Sequence, residues 1–261
     1  MPEAVYMHEP AGRLHPTALS RGPWDPGAQH GGAPAALLAG AIERHAGGGG
    51  TRMARITVEF LRPVPIAPLA LSVETVKSGR SAQLLSASLH HGESEVCRAT
   101  GLRIRSDAGA TAPVAPPETA PAPPESARTA GPPPSAVRPT FGADAMEIRY
   151  LSGDWREPGP AAAWLRLRVP LVAGEEPSPL QRALAAADFG NGISATLDWD
   201  AHAFINPDLT VYLDRDPEGE WVCLDAVTRI AADGTGSAES VLRDERGRIG
   251  RAVQALLVLP R

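Results

Sequence analysis

The residue of this sequence best placed to do chemistry is a carboxylate on the apolar face of a helix. Leu180, Ala183, Leu184 and Ala187 recur at helical spacing, and Asp188 follows Leu184 by four residues on the same face. A buried carboxylate without a partner is costly, so it needs either a partner or a purpose. A carboxylate held partly out of water is a plausible general base. The competing reading is that the helix has ended and Asp188 caps it or faces solvent beside Gly190. Gln254 lies with Ala252, Leu256 and Val258 on one strand face. Left unpaired there, an amide would cost about 1–3 kcal/mol, so Gln254 either holds a water beside Asp188 or is an edge or interface residue. Asn206 precedes Pro207, which forces extended backbone on it, and it reads equally as a site residue and as an ordinary strand opener. His30-Gly31-Gly32 opens a helix with little side-chain cover, where backbone N–H groups can polarise a carbonyl or meet a phosphate. His30 is read as a binding or structural residue rather than a base.

The elements around these residues fall into two similar series. In the first, Gln29-His30-Gly31-Gly32 leads into a helix over Ala33–Arg44, with Pro34 in its first turn and Gly47–Gly50 beyond its end. Strands are expected at about Ala54–Arg62, Leu69–Lys77, Ala82–His91 and Glu95–Arg105. In the second, Ser178-Pro179-Leu180-Gln181 is a capping-box start, and the helix is expected to run to about Phe189 and stop at Gly190-Asn191-Gly192. Strands follow at about Asp208–Asp214, Glu220–Ile230, Gly236–Arg243 and Ile249–Leu259. A constant offset of 153 aligns Thr57–Ala99 with the second series without gaps and pairs eight identical residues, Thr57 with Thr210 and Arg62 with Arg215 among them. This indicates a duplicated unit. Two further strand-like stretches, near Val5–Pro16 and within Ala145–Val169, are expected to complete the two sheets.

Between the series lies Thr111–Pro139. Ten of its residues are proline and none is aromatic, so an extended linker is expected, either a plain tether or a cover for the sheet. The expected organisation is a unit over 1–110, a linker over 111–140 and a second unit over 141–261. With 43% hydrophobic residues in 261, each unit can build a core. A net charge of −5 gives no general attraction to nucleic acid or to an anionic membrane, and neither is expected as a partner. Cys97 and Cys223 sit in apolar, strand-like runs and read as buried thiols. No Cys/His ligand spacing points to a metal, and no Walker or dinucleotide loop is present. No secretory leader and no long apolar run is found, so a cytoplasmic protein is expected.

A helix followed by a four-stranded antiparallel meander, twice over, is similar to an α+β double hot-dog, each sheet curling around its own long helix. Trp24-Asp25-Pro26-Gly27-Ala28-Gln29-His30-Gly31-Gly32, then the small-residue helix, then Thr57-Val58-Glu59-Phe60-Leu61-Arg62-Pro63, resembles the opening half of the type II acyl-CoA thioesterases. Ala187-Asp188, Pro207-Asp208-Leu209-Thr210-Val211 and Arg251-Ala252-Val253-Gln254 extend the resemblance through the second half. The resemblance implies hydrolysis of acyl-CoA or a related acyl-thioester without a cofactor. It also implies an Asp, Thr or Ser, and Gln set, in which the aspartate is Asp188 and the glutamine Gln254. At the hydroxyl position this sequence has Asn206, which can orient a water by hydrogen bonding but brings no hydroxyl. Substrate contact falls to His30, Gly31 and Gly32. Because no Ser/His/Asp or Cys/His signature occurs, attack by an activated water is the simpler chemistry. A hot-dog hydratase or dehydratase is a second reading, poorly matched by Asp198-Trp199-Asp200-Ala201-His202. A non-catalytic acyl-thioester-binding protein is a third, supported by Asn206. Assembly into a homo-oligomer is left open.

Overall fold

Small residues decide how the two halves of this chain meet. The computed structural model describes residues 3–107, 109–112, 114–115, 118, 120–131, 133 and 137–261. The first half contains β1 (Tyr6–His8), β2 (Leu14–Pro16), α1 (Gly32–Arg44), β3 (Thr51–Phe60), β4 (Ala70–Lys77), β5 (Ala82–His91) and β6 (Ser94–Arg105). After β7 (Arg128–Thr129), the second half contains β8 (Met146–Asp154), β9 (Glu157–Leu167), α2 (Pro179–Ala187) and α3 (Gly190–Ile193). It ends with β10 (His202–Ile205), β11 (Asp208–Leu213), β12 (Val222–Ile230), β13 (Thr235–Asp244) and β14 (Gly247–Pro260). Every residue of α1 from Gly32 to Ile42 is buried. A helix apolar all round must be covered all round, here by the sheet on one side and α2 on the other. The two helices cross so closely that a β-carbon on Gly40 would stand 2.2 Å from Gln181 Nε2, and one on Gly32 2.6 Å from the Ala185 carbonyl. Gly32 meets Ala185 and Gly40 meets Gln181, so the helices run antiparallel. The C-terminal carbonyls of α1 are satisfied by the buried Arg103, whose Nη2 donates to Ile42, Glu43 and His45.

One antiparallel sheet curls around this pair in the order β4-β5-β6-β3-β11-β14-β13-β12-β9-β8-β7, with β10 also paired to β14. The halves join at β3 and β11, where Thr57 lies opposite Thr210, Ile56 opposite Val211 and Val58 opposite Leu209. Those pairs are related by the offset of 153, so a pseudo-twofold axis passes between Thr57 and Thr210, whose hydroxyls are 3.2 Å apart. The same offset carries β5 onto β13 residue for residue. The architecture is the double hot-dog, α+β.

Two expectations change, and one left open is decided. The helix of the second half is not one long element: α2 ends at Ala187, Asp188 caps it, and the chain continues through α3 instead of stopping at Gly190-Asn191-Gly192. The glycines tolerate the continuation because α3 is packed under β12 and β13, whose contacts outweigh poor helix propensity. In the first half, β1 and β2 form a separate two-stranded sheet rather than extending the large one. That hairpin straps the halves together, since Leu14 exchanges backbone bonds with Leu69 while Tyr6 N donates to the Leu171 carbonyl at 2.8 Å. Lastly, the proline-rich stretch lies against the second half. Ala122 accepts from Trp164 Nε1 at 2.8 Å, Gly131 accepts from Trp155 Nε1 at 3.1 Å, and β7 pairs with β8. Ala127 packs on the small outer cluster of Trp164, Trp221 and Cys223. Residues 113, 116, 117, 119, 132 and 134–136 of that stretch lie outside the described residues.

Candidate active site

Asp188 owes its place to how α2 begins and to what it abuts. Pro179 takes the first helical position, Gln181 N donates to Ser178 Oγ at 3.2 Å, and Ser178 N donates to Gln181 Oε1 at 2.9 Å. This capping box sets the start of the helix, so its buried stripe and Asp188 fall toward α1. The side chain of Asp188 is 3% exposed. It is therefore not a solvent-facing cap, although it occupies the cap position. The C-terminus of α2 is an unfavourable neighbour for a carboxylate, and the N-terminus of α1 is a favourable one. The carboxylate lies against the second: a β-carbon on Gly31 would be 2.8 Å from Asp188 Oδ2 and 3.0 Å from Oδ1.

Four side chains converge there. Asn206 Nδ2 donates to Asp188 Oδ1 at 2.8 Å and to the Asp208 carbonyl at 3.1 Å. Gln254 Nε2 donates to the same Oδ1 at 3.2 Å, while its Oε1 accepts from Asn191 N at 3.3 Å. His30 Nδ1 stands 2.9 Å from Asp188 Oδ2 and 3.1 Å from Gly32 N. A ring nitrogen cannot both donate to the carboxylate and accept from the amide. The charge-assisted, shorter contact is the stronger, which makes Nδ1 the donor to Asp188, with Gly32 N–H still directed at the same ring nitrogen. Phe189 stacks on the His30 ring with centroids 4.3 Å apart and holds its orientation. Among the described residues, Gly31 N has no hydrogen-bond partner and Asn206 Oδ1 accepts none. The residues singled out in the sequence, His30, Gly31, Gly32, Asp188, Asn206 and Gln254, are thus brought to one place.

His30, Gly31, Asp188 and Asn206 line a cavity of about 440 Å³ together with Trp24, Trp155, Trp199 and Phe204, whereas Gly32 does not line it. Gln254 is 1% exposed, sits behind Asp188 and does not line the cavity. Two features of the site carry no signal in the sequence, Asn191 and the convergence of the three tryptophans. Asn191 lies inside the stretch read as a helix stop, and nothing in the spacing of Trp24, Trp155 and Trp199 announces that they meet. Cys97 is fully buried in β6; burial, reinforced by the Asp188 carboxylate, pushes its thiol well above the usual range, which leaves it unreactive. Pseudosymmetry does not give a second polar site. At the offset of 153, Asn206 and Gln254 correspond to Met53 and Gly101, and the space beside Gly101 is filled by Ile42 and Met53. Among the described residues no group of three or more His, Cys, Asp and Glu could hold a metal. No described helix is long and apolar enough to cross a membrane.

This hot-dog architecture is shared along almost the whole chain by known structures. A conserved protein of unknown function from Alicyclobacillus acidocaldarius with a hot dog fold superposes with a TM-score of 0.72 at 17% identity, covering 99% of this chain and 97% of that one. A provisionally assigned thioesterase II from Thermobifida fusca YX gives a TM-score of 0.73 at 20% identity, covering 98% and 96%. The tesB protein of Mycobacterium avium subs paratuberculosis gives 0.66 at 18%, covering 97% and 96%. Residues 20–104 match the family profile of the acyl-CoA thioesterase N-terminal domain, and residues 117–258 that of the acyl-CoA thioesterase C-terminal domain. The chain belongs to the acyl-CoA thioesterase family. No curated protein sequence matches it. Family and fold together support acyl-thioester hydrolysis as its general chemistry.

Proposed function

We propose that this protein hydrolyses acyl-CoA or a related acyl-thioester with a water activated by Asp188. The observation that carries the reading is the buried Asp188 carboxylate, fixed by Asn206, Gln254 and His30 at the edge of an apolar cavity. In this scheme the water donates one hydrogen to Asp188 and the other to the free Asn206 Oδ1, so its lone pair points away from both acceptors. The amide of Asn206 thereby replaces a hydroxyl: Nδ2 holds the carboxylate and Oδ1 holds the water. Gln254 acts on the carboxylate rather than on the water, because both ends of its amide are already engaged. The thioester carbonyl rests on Gly31 N–H at the start of α1, where the helix dipole and an open amide stabilise the developing oxyanion. Water adds to the carbonyl carbon and its proton passes to Asp188. The tetrahedral intermediate then collapses with cleavage of the C–S bond, and the proton returns to the departing thiolate. The products are the carboxylic acid and the free thiol of the carrier.

Free-thiol release from a panel of acyl-CoAs tests this reading. Asp188→Asn, nearly isosteric, is expected to lower kcat/KM by roughly 10²–10⁴-fold, the usual worth of a positioned base, with Tm little changed. Thiol release that survives Asp188→Asn would sink the mechanism. Ligand binding without any thiol release would favour the non-catalytic reading, and water addition to an enoyl-CoA the hydratase.

A further inference from the structure

Three of the chain's five tryptophans and three of its four phenylalanines line the one cavity beside Asp188, in a chain only 5% aromatic. Their arrangement is fixed. Trp24 and Trp199 stack face to face with centroids 5.0 Å apart and an interplanar angle of 17°, each covering one face of the other. Phe204 meets both edge-on, at 5.0 and 4.8 Å, and Trp155 meets Trp199 edge-on at 6.2 Å. The Arg261 guanidinium lies 5.5 Å above Trp24, and Trp155 is tied to the Gly131 carbonyl. Gly192 lines the cavity between them; a β-carbon there would be 3.5 Å from Trp155 and 3.8 Å from Trp199, so its absence keeps the slot open. Among the branched aliphatic residues lining the cavity, Val64 is buried, whereas Leu61 and Ile205 are 43% and 39% exposed. Phe204 and Asn206 share a face of the chain two residues apart, which sets the aromatic wall about 7 Å beyond the residue that holds Asp188.

A long flexible chain is best taken by aliphatic and methionine walls that re-form around it. Rigid ring faces and edges instead complement another ring, through quadrupole geometry and with few rotors to freeze. From this we infer that the acyl group this site prefers is a short arylacyl group, such as phenylacetyl or benzoyl, rather than a straight fatty chain; the inference rests on the thioesterase reading for its chemistry but on the cavity walls for its substrate class.

Phenylacetyl-CoA and octanoyl-CoA carry the same number of acyl carbons and make a matched pair. The expected kcat/KM ratio favours phenylacetyl-CoA by about fivefold to tenfold. Trp24→Leu, at a half-buried position, and Trp199→Leu should bring the ratio toward one. Binding is followed separately by tryptophan fluorescence with the non-hydrolysable S-(2-phenylethyl)-CoA and S-octyl-CoA thioethers. Hydrolysis with octanoyl-CoA equal or preferred overturns the substrate class and leaves the thioesterase reading standing. No hydrolysis, but tighter binding of the phenylethyl thioether, does the reverse. A wild-type ratio that persists in both tryptophan variants also overturns the inference, and if a variant fails to fold, the wild-type ratio decides.

Discussion

Gly31 offers a perturbation of the site that acts through space alone. Its backbone, with φ −57° and ψ −27°, is one any residue adopts, so Gly31→Ala introduces no backbone strain. The added methyl would stand 2.7 Å from Phe60 Cζ and 2.8 and 3.0 Å from the two Asp188 oxygens, where ordinary contact begins at 3.4 Å. Something must retreat by about half an ångström, a shift of the size at which catalytic geometry becomes sensitive. Phe60 can swing, but the carboxylate is tied to Asn206, Gln254 and His30 and cannot move without stretching one of those bonds. Because a misplacement of 1 Å can cost about 10²-fold, kcat/KM should fall by roughly 10- to 100-fold. Overpacking should cost about 1–3 kcal/mol of stability, which for a chain of this size lowers Tm by several degrees. Free-thiol release measures the first and a thermal melt the second. Gly49→Ala is the control, since a β-carbon there has open space and the position has no left-handed backbone. If Gly31→Ala retains kcat/KM within a factor of about two while Gly49→Ala does the same, Asp188 is not the base, and the reasoning fails.

Asp244 gives a pH prediction. Burial pushes its carboxyl up, but the bidentate Arg215 and the N–H groups of Arg246 and Glu218 outweigh this and hold it below the ordinary value. A depressed carboxylate contributes stability above the ordinary value near pH 4 that is lost as pH falls through the lower folded value. Asp244→Asn should therefore cost about 3 kcal/mol at neutral pH, leaving Arg215 without its buried partner, and its urea-unfolding free energy should decline less steeply in acid than the wild type's. An unchanged acid slope would contradict the assignment. The thiols give another test: burial raises Cys97 far above its usual range and Cys223 to about 12, the latter partly opposed by Arg243. At about pH 8, Ellman's reagent should find almost no rapidly reacting thiol in the native protein and both cysteines after denaturation. Rapid labelling of either would show that the strand carrying it opens.

Much of the sheet was legible because strand patterning is local. Period-two alternation and turn glycines placed β5 and β13, and the offset of 153 carries one onto the other in the structure as it does in the sequence. Asp188 was legible as an unusual residue because a capping box fixes the helical phase from Ser178 onward. The misread elements share one cause. Gly190-Asn191-Gly192 has the composition of a helix stop, yet packing under the sheet sustains another turn; β1 and β2 have strand composition, yet bond to Leu69 and Leu171 instead of the large sheet. In both cases a tertiary contact outweighed a local preference.

The sequence by itself determined the duplicated helix-and-meander plan, the phase of α2, and the residue types available at the site. These follow from periodicity, capping and composition, which each segment carries independently of the rest. Only the tertiary structure decided that α1 and α2 cross antiparallel, which sets Gly31 and His30 of one half against Asp188 of the other. It also decided that Gln254 stands behind the carboxylate while Asn206 faces the cavity, and that Trp24, Trp155 and Trp199 build a single wall. Such meetings depend on how far two glycines let the helices approach and on which strand pairs with which, and those distances exist only once the two halves have closed on each other.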